Sequence, residues 1–396
     1  MRNVTGQVVV GSDFFDRQAE IARYWRGLET DSLLLLAPRR VGKSSVLRRM
    51  NEYADKAGFA AIYVDVSDCA DEFRFVERLY TAILEHHGAA ERLWNGIKES
   101  SLGKAIRQIK KAGAAGFSIE FERGGLEWDR IGEELAEALE GLERQTLIQV
   151  DELPVFVLKL LNRADETQQG RIREFLYWMR KLRQKYLHVK WMLAGSIGLD
   201  TVASRLNIAD AINDLRIETL GAFDGATAHD LLRTLSANYG LTLEDPVRER
   251  VLARVGWLIP YYLQLVFDKL REWQKPEAGH VDAVVDTLLD ASHKGLFDYW
   301  RQRLRDELGR PDADHASALL HPACRTPEGV RRGVFQQVLT ASIADADARE
   351  DKLRYLLDVL ENDGYLVEEE KRWRFRSPLL REYWSRRVAP PEADRE

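Results

Sequence analysis

Five short apolar runs divide the part of the chain that precedes residue 221. They occupy residues 33–37, 60–64, 146–150, 189–194 and, more weakly, 215–220. Runs of this length between turn signals are typical of strands that are buried on both faces, as in a parallel sheet. Amphipathic helical patterns, for example at 73–86 and 131–142, lie between the runs. This alternation predicts an α/β domain built on a parallel sheet.

From residue 222 the periodicity becomes helical. Three patterns, at 225–239, 245–255 and 260–273, follow each other with no apolar run between them, which predicts a small helical bundle. Residues 282–308 predict a further long helix, with an interruption near Gly295.

The C-terminal part combines helical patterns with a hairpin. Helical stretches near Ala316 and at 333–340 precede a stronger one at 347–362. Two short strand-like segments then flank a charged turn at 368–372, and helices followed by a hairpin suggest a winged helix. We therefore predict four parts. They are a core at residues 1–221, a helical lid at 222–280, a linker helix with a winged helix at 281–388, and a disordered tail at 389–396.

Length, net charge and cysteine content limit the class of protein. The chain has 396 residues and a net charge of −6, so it fits two or three domains and carries no global positive field. Its two cysteines, Cys69 and Cys324, lack zinc-site spacing. With no signal-like apolar segment and no run of the ~18–20 residues that a membrane span needs, we expect a cytoplasmic protein with no membrane partner.

The sharpest motif follows the first apolar run. A phosphate-binding loop has the pattern G-x-x-x-x-G-K-[ST], and this chain departs from it only at Ala37. The loop's backbone N–H groups and the N-terminus of the next helix favour phosphate, Lys43 neutralises it, and the Ser44 hydroxyl is a ligand for Mg²⁺. The candidate nucleotide-binding residues are Pro38, Arg39, Arg40, Val41, Gly42, Lys43, Ser44 and Ser45.

An acidic pair ends the third apolar run. Asp151 is expected to hold Mg²⁺ through water, and Glu152 to orient and activate the attacking water. After the fourth run, Ser196 is either a sensor of the γ-phosphate or part of a plain turn. Lys43, Glu152 and Ser196 are thus the candidate catalytic residues, with Ser44 and Asp151 as the metal ligands.

With these residues in place, the chain resembles the archaeal-type ATPases of the STAND group, which are P-loop NTPases related to AAA+ proteins. The resemblance covers about residues 10–385. The stretches that carry it are Phe15 to Ile21, Pro38 to Ser45, Asp151-Glu152-Leu153-Pro154, Ala194-Gly195-Ser196, Asp363-Gly364-Tyr365-Leu366 and Phe375-Arg376-Ser377-Pro378.

The resemblance implies a five-stranded P-loop NTPase sheet of order 5-1-4-3-2, followed by a helical lid and a winged helix. It also implies a switch, in which ATP holds one arrangement and hydrolysis releases it, and it favours ATP over GTP. Pro260 corresponds to a proline near the adenine in relatives, although the spacing from Gly256 is longer here. The alternative for Pro260 is a proline in the first turn of a helix.

The charge of the C-terminal part helps to decide between DNA and protein as the binding partner. Residues 320–396 hold 14 Lys and Arg against 15 Asp and Glu, so this segment offers little to a phosphate backbone. We therefore expect a switch that regulates a protein partner. The alternative is a nucleic-acid-associated ATPase of mobile elements, repair or defence that contacts DNA through its winged helix. A module that binds ATP without hydrolysing it is disfavoured by the intact Glu152. Whether a homo-oligomer places Arg39 or Arg40 in a neighbouring site stays open.

Overall fold

The computed structural model describes residues 1–85, 127–162, 166–195, 208–290 and 295–390. The chain divides into two compact units. One comprises residues 17–37 and 43–220, and the other comprises residues 1–16, 38–42 and the chain from Gly221 onward. Among the described residues, no helix has the length and apolar character required to cross a membrane.

The first unit is built on a five-stranded parallel sheet. Its order is β2-β3-β4-β1-β5, which is the predicted order 5-1-4-3-2 counted from the opposite edge, and the prediction is confirmed. Each predicted apolar run forms a strand: β1 Leu33–Leu36, β2 Phe59–Asp65, β3 Gln145–Asp151, β4 Val189–Gly195 and β5 Arg216–Thr219. Strand β4 is buried along its whole length, as expected for a strand covered on both faces.

Helices accompany this sheet in the same unit. They are α1 Gln18–Leu28, α2 Lys43–Tyr53, α3 Glu72–Glu85, α4 Trp128–Glu140, α5 Leu153–Asn162 and α6 Glu166–Lys185, with short 3-10 helices at Ala54–Ala57 and Ala209–Ile212. Aromatic side chains tie α3 to α6, since the rings of Phe75 and Phe175 lie 4.9 Å apart, edge to face. The predicted patterns at 73–86 and 131–142 thus correspond to α3 and α4.

The second unit is mainly helical. Its helices are α7 Gly225–Tyr239, α8 Asp245–Val255, α9 Pro260–Leu270, α10 Ala278–Leu288, α11 Gly295–Leu308, α12 Asp312–Arg325, α13 Arg332–Thr340, α14 Ala346–Asn362 and α15 Pro378–Arg387. The predicted hairpin is confirmed as the antiparallel strands β6 Leu366–Glu369 and β7 Arg372–Phe375. The helix expected over 282–308 is two helices, α10 and α11, and the second begins at Gly295. Helix α15 was not predicted.

One continuous core runs through the second unit, with buried side chains from Phe223 to Trp384. Close packing joins α8 to α15. The Ser377 hydroxyl donates to the Val255 carbonyl at 3.0 Å, and a Cβ added at Gly256 would lie 2.2 Å from the Pro378 ring. Gly256 also has a φ of +66°, so both its conformation and its neighbours require glycine. The boundary predicted at residue 280 stays a prediction.

Candidate functional site

The phosphate-loop motif connects β1 to α2, and β1 lies between β4 and β5 in the sheet. Two of its residues have left-handed backbone conformations, Arg40 with φ +67° and Gly42 with φ +97°. At Gly42 an added Cβ would meet no protein atom within 4 Å, so the backbone angle rather than crowding by the protein calls for glycine. Left-handed residues within a turn direct successive N–H groups to one side, which suits an anion.

Lys43, the first residue of α2, lies among carboxylates. Its ammonium nitrogen is 2.5 Å from Asp151 Oδ1 and 2.8 Å from Glu152 Oε1. The side chains of Lys43 and Asp151 are 6% and 1% exposed, so this pair is nearly removed from water. A buried ammonium is costly unless carboxylates compensate it, and here two of them do.

Asp151, the last residue of β3, accepts hydrogen bonds at both carboxylate oxygens. Oδ1 accepts from Lys43 Nζ and from the backbone N–H of Glu152 at 3.0 Å. Oδ2 accepts from the Ser44 hydroxyl at 2.7 Å and from the Tyr63 hydroxyl at 2.9 Å. Four donors thus fix the carboxylate in one orientation at the carboxyl end of the sheet.

Glu152 follows the strand in a strained conformation. Its φ is +60°, in the left-handed region that a non-glycine residue adopts at a cost of about 1 kcal/mol or more. Its carbonyl accepts from the N–H of Phe156 and so joins the first turn of α5. The side chain is 22% exposed while that of Asp151 is 1% exposed, so of the two carboxylates Glu152 is the one that reaches solvent.

The surroundings shift the pKa values of two groups in this cluster. Burial alone would lower the pKa of Lys43, but the charges of Glu152 and Asp151 outweigh burial and hold it above its ordinary value. Burial, reinforced by the charge of Asp151, raises the pKa of Tyr63. Near neutral pH the lysine is therefore a cation and the tyrosine a neutral hydrogen-bond donor.

The side chains fit a magnesium nucleotide. The Ser44 hydroxyl and the Asp151 carboxylate are hard oxygen ligands of the kind that Mg²⁺ selects, and they lie 2.7 Å apart. Lys43 is the first residue of a helix whose N-terminal N–H groups favour anions. The donor set therefore suits a metal that is held by one hydroxyl, one carboxylate and phosphate oxygens.

The other predicted residues are distributed as follows. Val41 is buried, and Pro38, Arg39, Gly42 and Ser44 are partly exposed. The guanidinium of Arg40 lies 4.4 Å from the ring centroid of Tyr261 and 5.2 Å from that of Tyr299. Pro260 is the first residue of α9, directly before Tyr261. Ser196 and residues 391–396 lie outside the described residues.

Two residues of the site were not predicted. The Tyr63 hydroxyl on β2 donates a hydrogen bond to Asp151, and the Arg48 guanidinium on α2 lies 3.8 Å from the centre of the Tyr63 ring. A tyrosine inside an apolar run was visible in the sequence. Its closeness to Asp151 depends on β2 pairing with β3, and the apolar runs alone do not specify which strands pair.

No protein-family model matches the chain, and no curated protein sequence matches it. Among solved structures it is similar to the Walker-type ATPase PABY2304 of Pyrococcus abyssi, with a TM-score of 0.61 and 17% identity over 94% of this chain and 96% of that chain. It is also similar to the ORC2 protein of Aeropyrum pernix, described in ADPNP and ADP complexes, with a TM-score of 0.54 and 12% identity over 95% and 94%. At these identities the likeness shows a shared fold.

Proposed function

We propose that the chain is an ATP-binding and ATP-hydrolysing molecular switch of the STAND and AAA+-related type that regulates a protein partner. One observation carries this proposal. A phosphate-loop lysine, a hydroxyl and two adjacent carboxylates converge at the carboxyl end of a parallel sheet, in a fold shared with a Walker-type ATPase. The carboxyl ends of parallel strands are the usual position of ligand sites in α/β proteins.

Each side chain of the cluster has a role in this proposal. Lys43 pairs with phosphate oxygens, while Ser44 and Asp151 hold the metal. When bound, Mg²⁺ would neutralise charge on the β- and γ-phosphates of ATP. Glu152, the more exposed carboxylate, accepts a hydrogen bond from the attacking water and aims it in line with the γ-phosphate. Ser196 is proposed as the γ-phosphate sensor.

The contacts of Lys43 also suggest how the base is kept inactive. In the structure Glu152 Oε1 accepts from Lys43 Nζ at 2.8 Å, and this contact competes with a water at that oxygen. Phosphate oxygens compete for the same ammonium protons. When Lys43 turns to them, Glu152 Oε1 loses this competing contact and accepts from water more readily. Binding of the substrate and preparation of the base are then one event.

The rest of the chain is proposed to transmit the nucleotide state. Residues 222–280 act as a lid, with Pro260 near the adenine, and residues 281–388 act as a linker helix and winged helix. A protein is favoured over DNA as partner because basic side chains of α13 and α14 are engaged. Arg332 pairs with Glu350, Lys352 with Asp312, and Arg349 donates to the Ile343 carbonyl.

The ATPase is tested by phosphate release from Mg·ATP, with Lys43→Ala and Glu152→Gln beside the wild type. We expect turnover that both variants lose, and a fluorescent ATP analogue that binds to Glu152→Gln but not to Lys43→Ala. Lys181→Ala and Glu133→Gln are the matched controls, because these two residues form an ion pair elsewhere in the same unit. If the wild type binds no nucleotide, or if Lys43→Ala binds it equally well, the proposal fails.

The choice between protein and nucleic acid is tested by a gel shift with duplex DNA at graded salt. A protein-directed switch leaves the DNA unshifted at physiological salt. A shift that weakens steeply with salt, as phosphate contacts require, would instead support the nucleic-acid-associated ATPase.

A further inference from the structure

The second carboxylate oxygen of Asp151 has a partner that the ATPase chemistry above does not use. Oδ2 accepts from Ser44 at 2.7 Å and from the Tyr63 hydroxyl at 2.9 Å. Asp151 is 1% exposed, so a protein donor lost from this oxygen is not replaced freely by water. The Tyr63 hydroxyl therefore matters for how this carboxylate is oriented.

The strand pairing brings Tyr63 to this position. Strand β2 runs parallel to β3, with Tyr63 opposite Gln149 and Asp65 opposite Asp151. Side chains two residues apart on a strand point to the same face, so the tyrosine ring reaches diagonally across to Asp151 from a neighbouring strand. Groups that project from paired strands are held more accurately than groups on loops.

A cation on the phosphate-loop helix holds the Tyr63 ring. The Arg48 guanidinium lies 3.8 Å from the ring centre, within the range of a cation–π contact. A cation over the ring withdraws electron density from the phenol and makes its hydroxyl a better donor. Helix α2 thus contributes twice to Oδ2 of this carboxylate, directly through the Ser44 hydroxyl and indirectly through the arginine that contacts Tyr63, besides the Lys43 ammonium on Oδ1.

We propose that Tyr63 is a positioning residue for the Mg²⁺ site, and that its hydroxyl fixes the orientation of the Asp151 carboxylate that would hold the metal. This inference rests on the proposed ATPase function. Because Oδ2 accepts from two hydroxyls, the carboxylate cannot rotate about its Cβ–Cγ bond without breaking a hydrogen bond. When phosphate draws Lys43 away, the carboxylate keeps its orientation and would then be available to the metal or its bound water.

The test removes the hydroxyl and keeps the ring. A fluorescent, non-hydrolysable ATP analogue is titrated into the wild type and Tyr63→Phe, first in EDTA and then at graded Mg²⁺. We expect the Mg²⁺ concentration for half of the metal-dependent gain in affinity to rise by about tenfold in Tyr63→Phe, since a hydrogen bond to a buried charge is lost. The affinity in EDTA should stay within about twofold, because Tyr63 acts through the metal ligand.

Two further variants separate positioning from structure. Tyr177→Phe is the matched control, because the Tyr177 hydroxyl also donates to a carboxylate, that of Asp210, at an exposed place in the same unit. It should leave the Mg²⁺ dependence unchanged. Arg48→Gln keeps the Tyr63 hydroxyl and removes the cation, and it should shift the Mg²⁺ dependence in the same direction by less. Arg48→Gln carries the test if Tyr63→Phe does not fold.

The outcomes separate this inference from the function on which it rests. If the wild type shows Mg²⁺-dependent binding and Tyr63→Phe matches it, Tyr63 has no positioning role while the ATPase proposal stands. Equal weakening in EDTA and in Mg²⁺ would likewise overturn the inference, since it indicates general loosening of the site. A wild type that binds no analogue under either condition would remove both proposals.

Discussion

Each unit of the molecule contains a buried ion pair, and the two pairs are built differently. In the sheet-containing unit, Lys43 and Asp151 lie 2.5 Å apart, at the start of a helix and at the end of a strand. In the helical unit, Arg303 of α11 and Asp363, directly after α14, lie 2.9 Å apart with side chains 1% and 2% exposed. The first pair has a second carboxylate, Glu152, that reaches solvent. The second lies within three residues in sequence of Trp300 and Tyr365, whose rings are 4.8 Å apart, edge to face.

The difference shows which buried charges are exchangeable. Lys43 can move from one carboxylate to another or to a phosphate, because Glu152 is partly exposed and the lysine stem is flexible. Arg303 has a planar, permanently charged group and is only 2% exposed. A site that must bind and release a ligand needs a movable cation such as Lys43. A permanent contact between α11 and the end of α14 needs a fixed ion pair such as Arg303 with Asp363.

The largest expected effect is on stability, in a matched pair of substitutions. Asp363→Asn should lower the free energy of unfolding by about 3 kcal/mol, because it removes the carboxylate in contact with a fully buried guanidinium. Asp151→Asn should cost clearly less, since Glu152 remains 2.8 Å from Lys43. Urea unfolding of both variants and the wild type measures the difference.

The two substitutions should affect catalysis in the opposite order. Asp151→Asn should abolish Mg²⁺-dependent turnover, while folded Asp363→Asn should retain it. Equal losses of stability in the two variants would mean that the two pairs do not differ in the way described.

A smaller effect is expected at alkaline pH. Lys43 has a raised pKa in the folded protein, so its stabilising contribution is complete below the ordinary lysine value of about 10.4. As the pH rises further, the unfolded chain loses this proton first, and stability falls by up to about 1.4 kcal/mol per pH unit until the folded-state pKa is passed. Arg303 stays charged throughout this range and adds no such slope.

Urea unfolding at about pH 9, 10 and 11 tests this difference. Lys43→Met should reduce the alkaline loss of stability, and Arg303→Met should leave the slope as in the wild type. An unchanged slope in Lys43→Met would show that the lysine does not stabilise the fold through its charge.

The strands and the acidic pair were predictable because their signals are local. For example, the apolar residues 146–150 predict a buried strand, and the acidic residues Asp151 and Glu152 that follow directly predict the metal site at its end. The strand order came from the resemblance, since apolar runs do not specify their neighbours. Tyr63 was missed for the same reason. Helix α15 was missed although its buried residues, Leu379, Leu380, Tyr383 and Trp384, recur at helical spacing, because the helix is only ten residues long and directly follows the hairpin.

The contacts of Arg40 could not be predicted from the sequence either. Their loss is expected to have the smallest effect on stability. Its guanidinium lies 4.4 Å from the centre of the Tyr261 ring, so a phosphate-loop residue is held by an aromatic face instead of a carboxylate. A cation–π contact at an exposed arginine contributes about 0.5–1 kcal/mol. Arg40→Gln and Tyr261→Leu should therefore each destabilise the chain, and their combination should cost less than the sum by that amount.

A double-mutant cycle in thermal unfolding measures this coupling directly. The same cycle with the non-hydrolysable ATP analogue bound distinguishes two positions of the guanidinium. If Arg40 stays on the ring when the site is filled, the coupling keeps its size. If the coupling disappears, Arg40 has left the ring when the site is filled. Strictly additive losses without the analogue would show that the ring contact contributes nothing to stability.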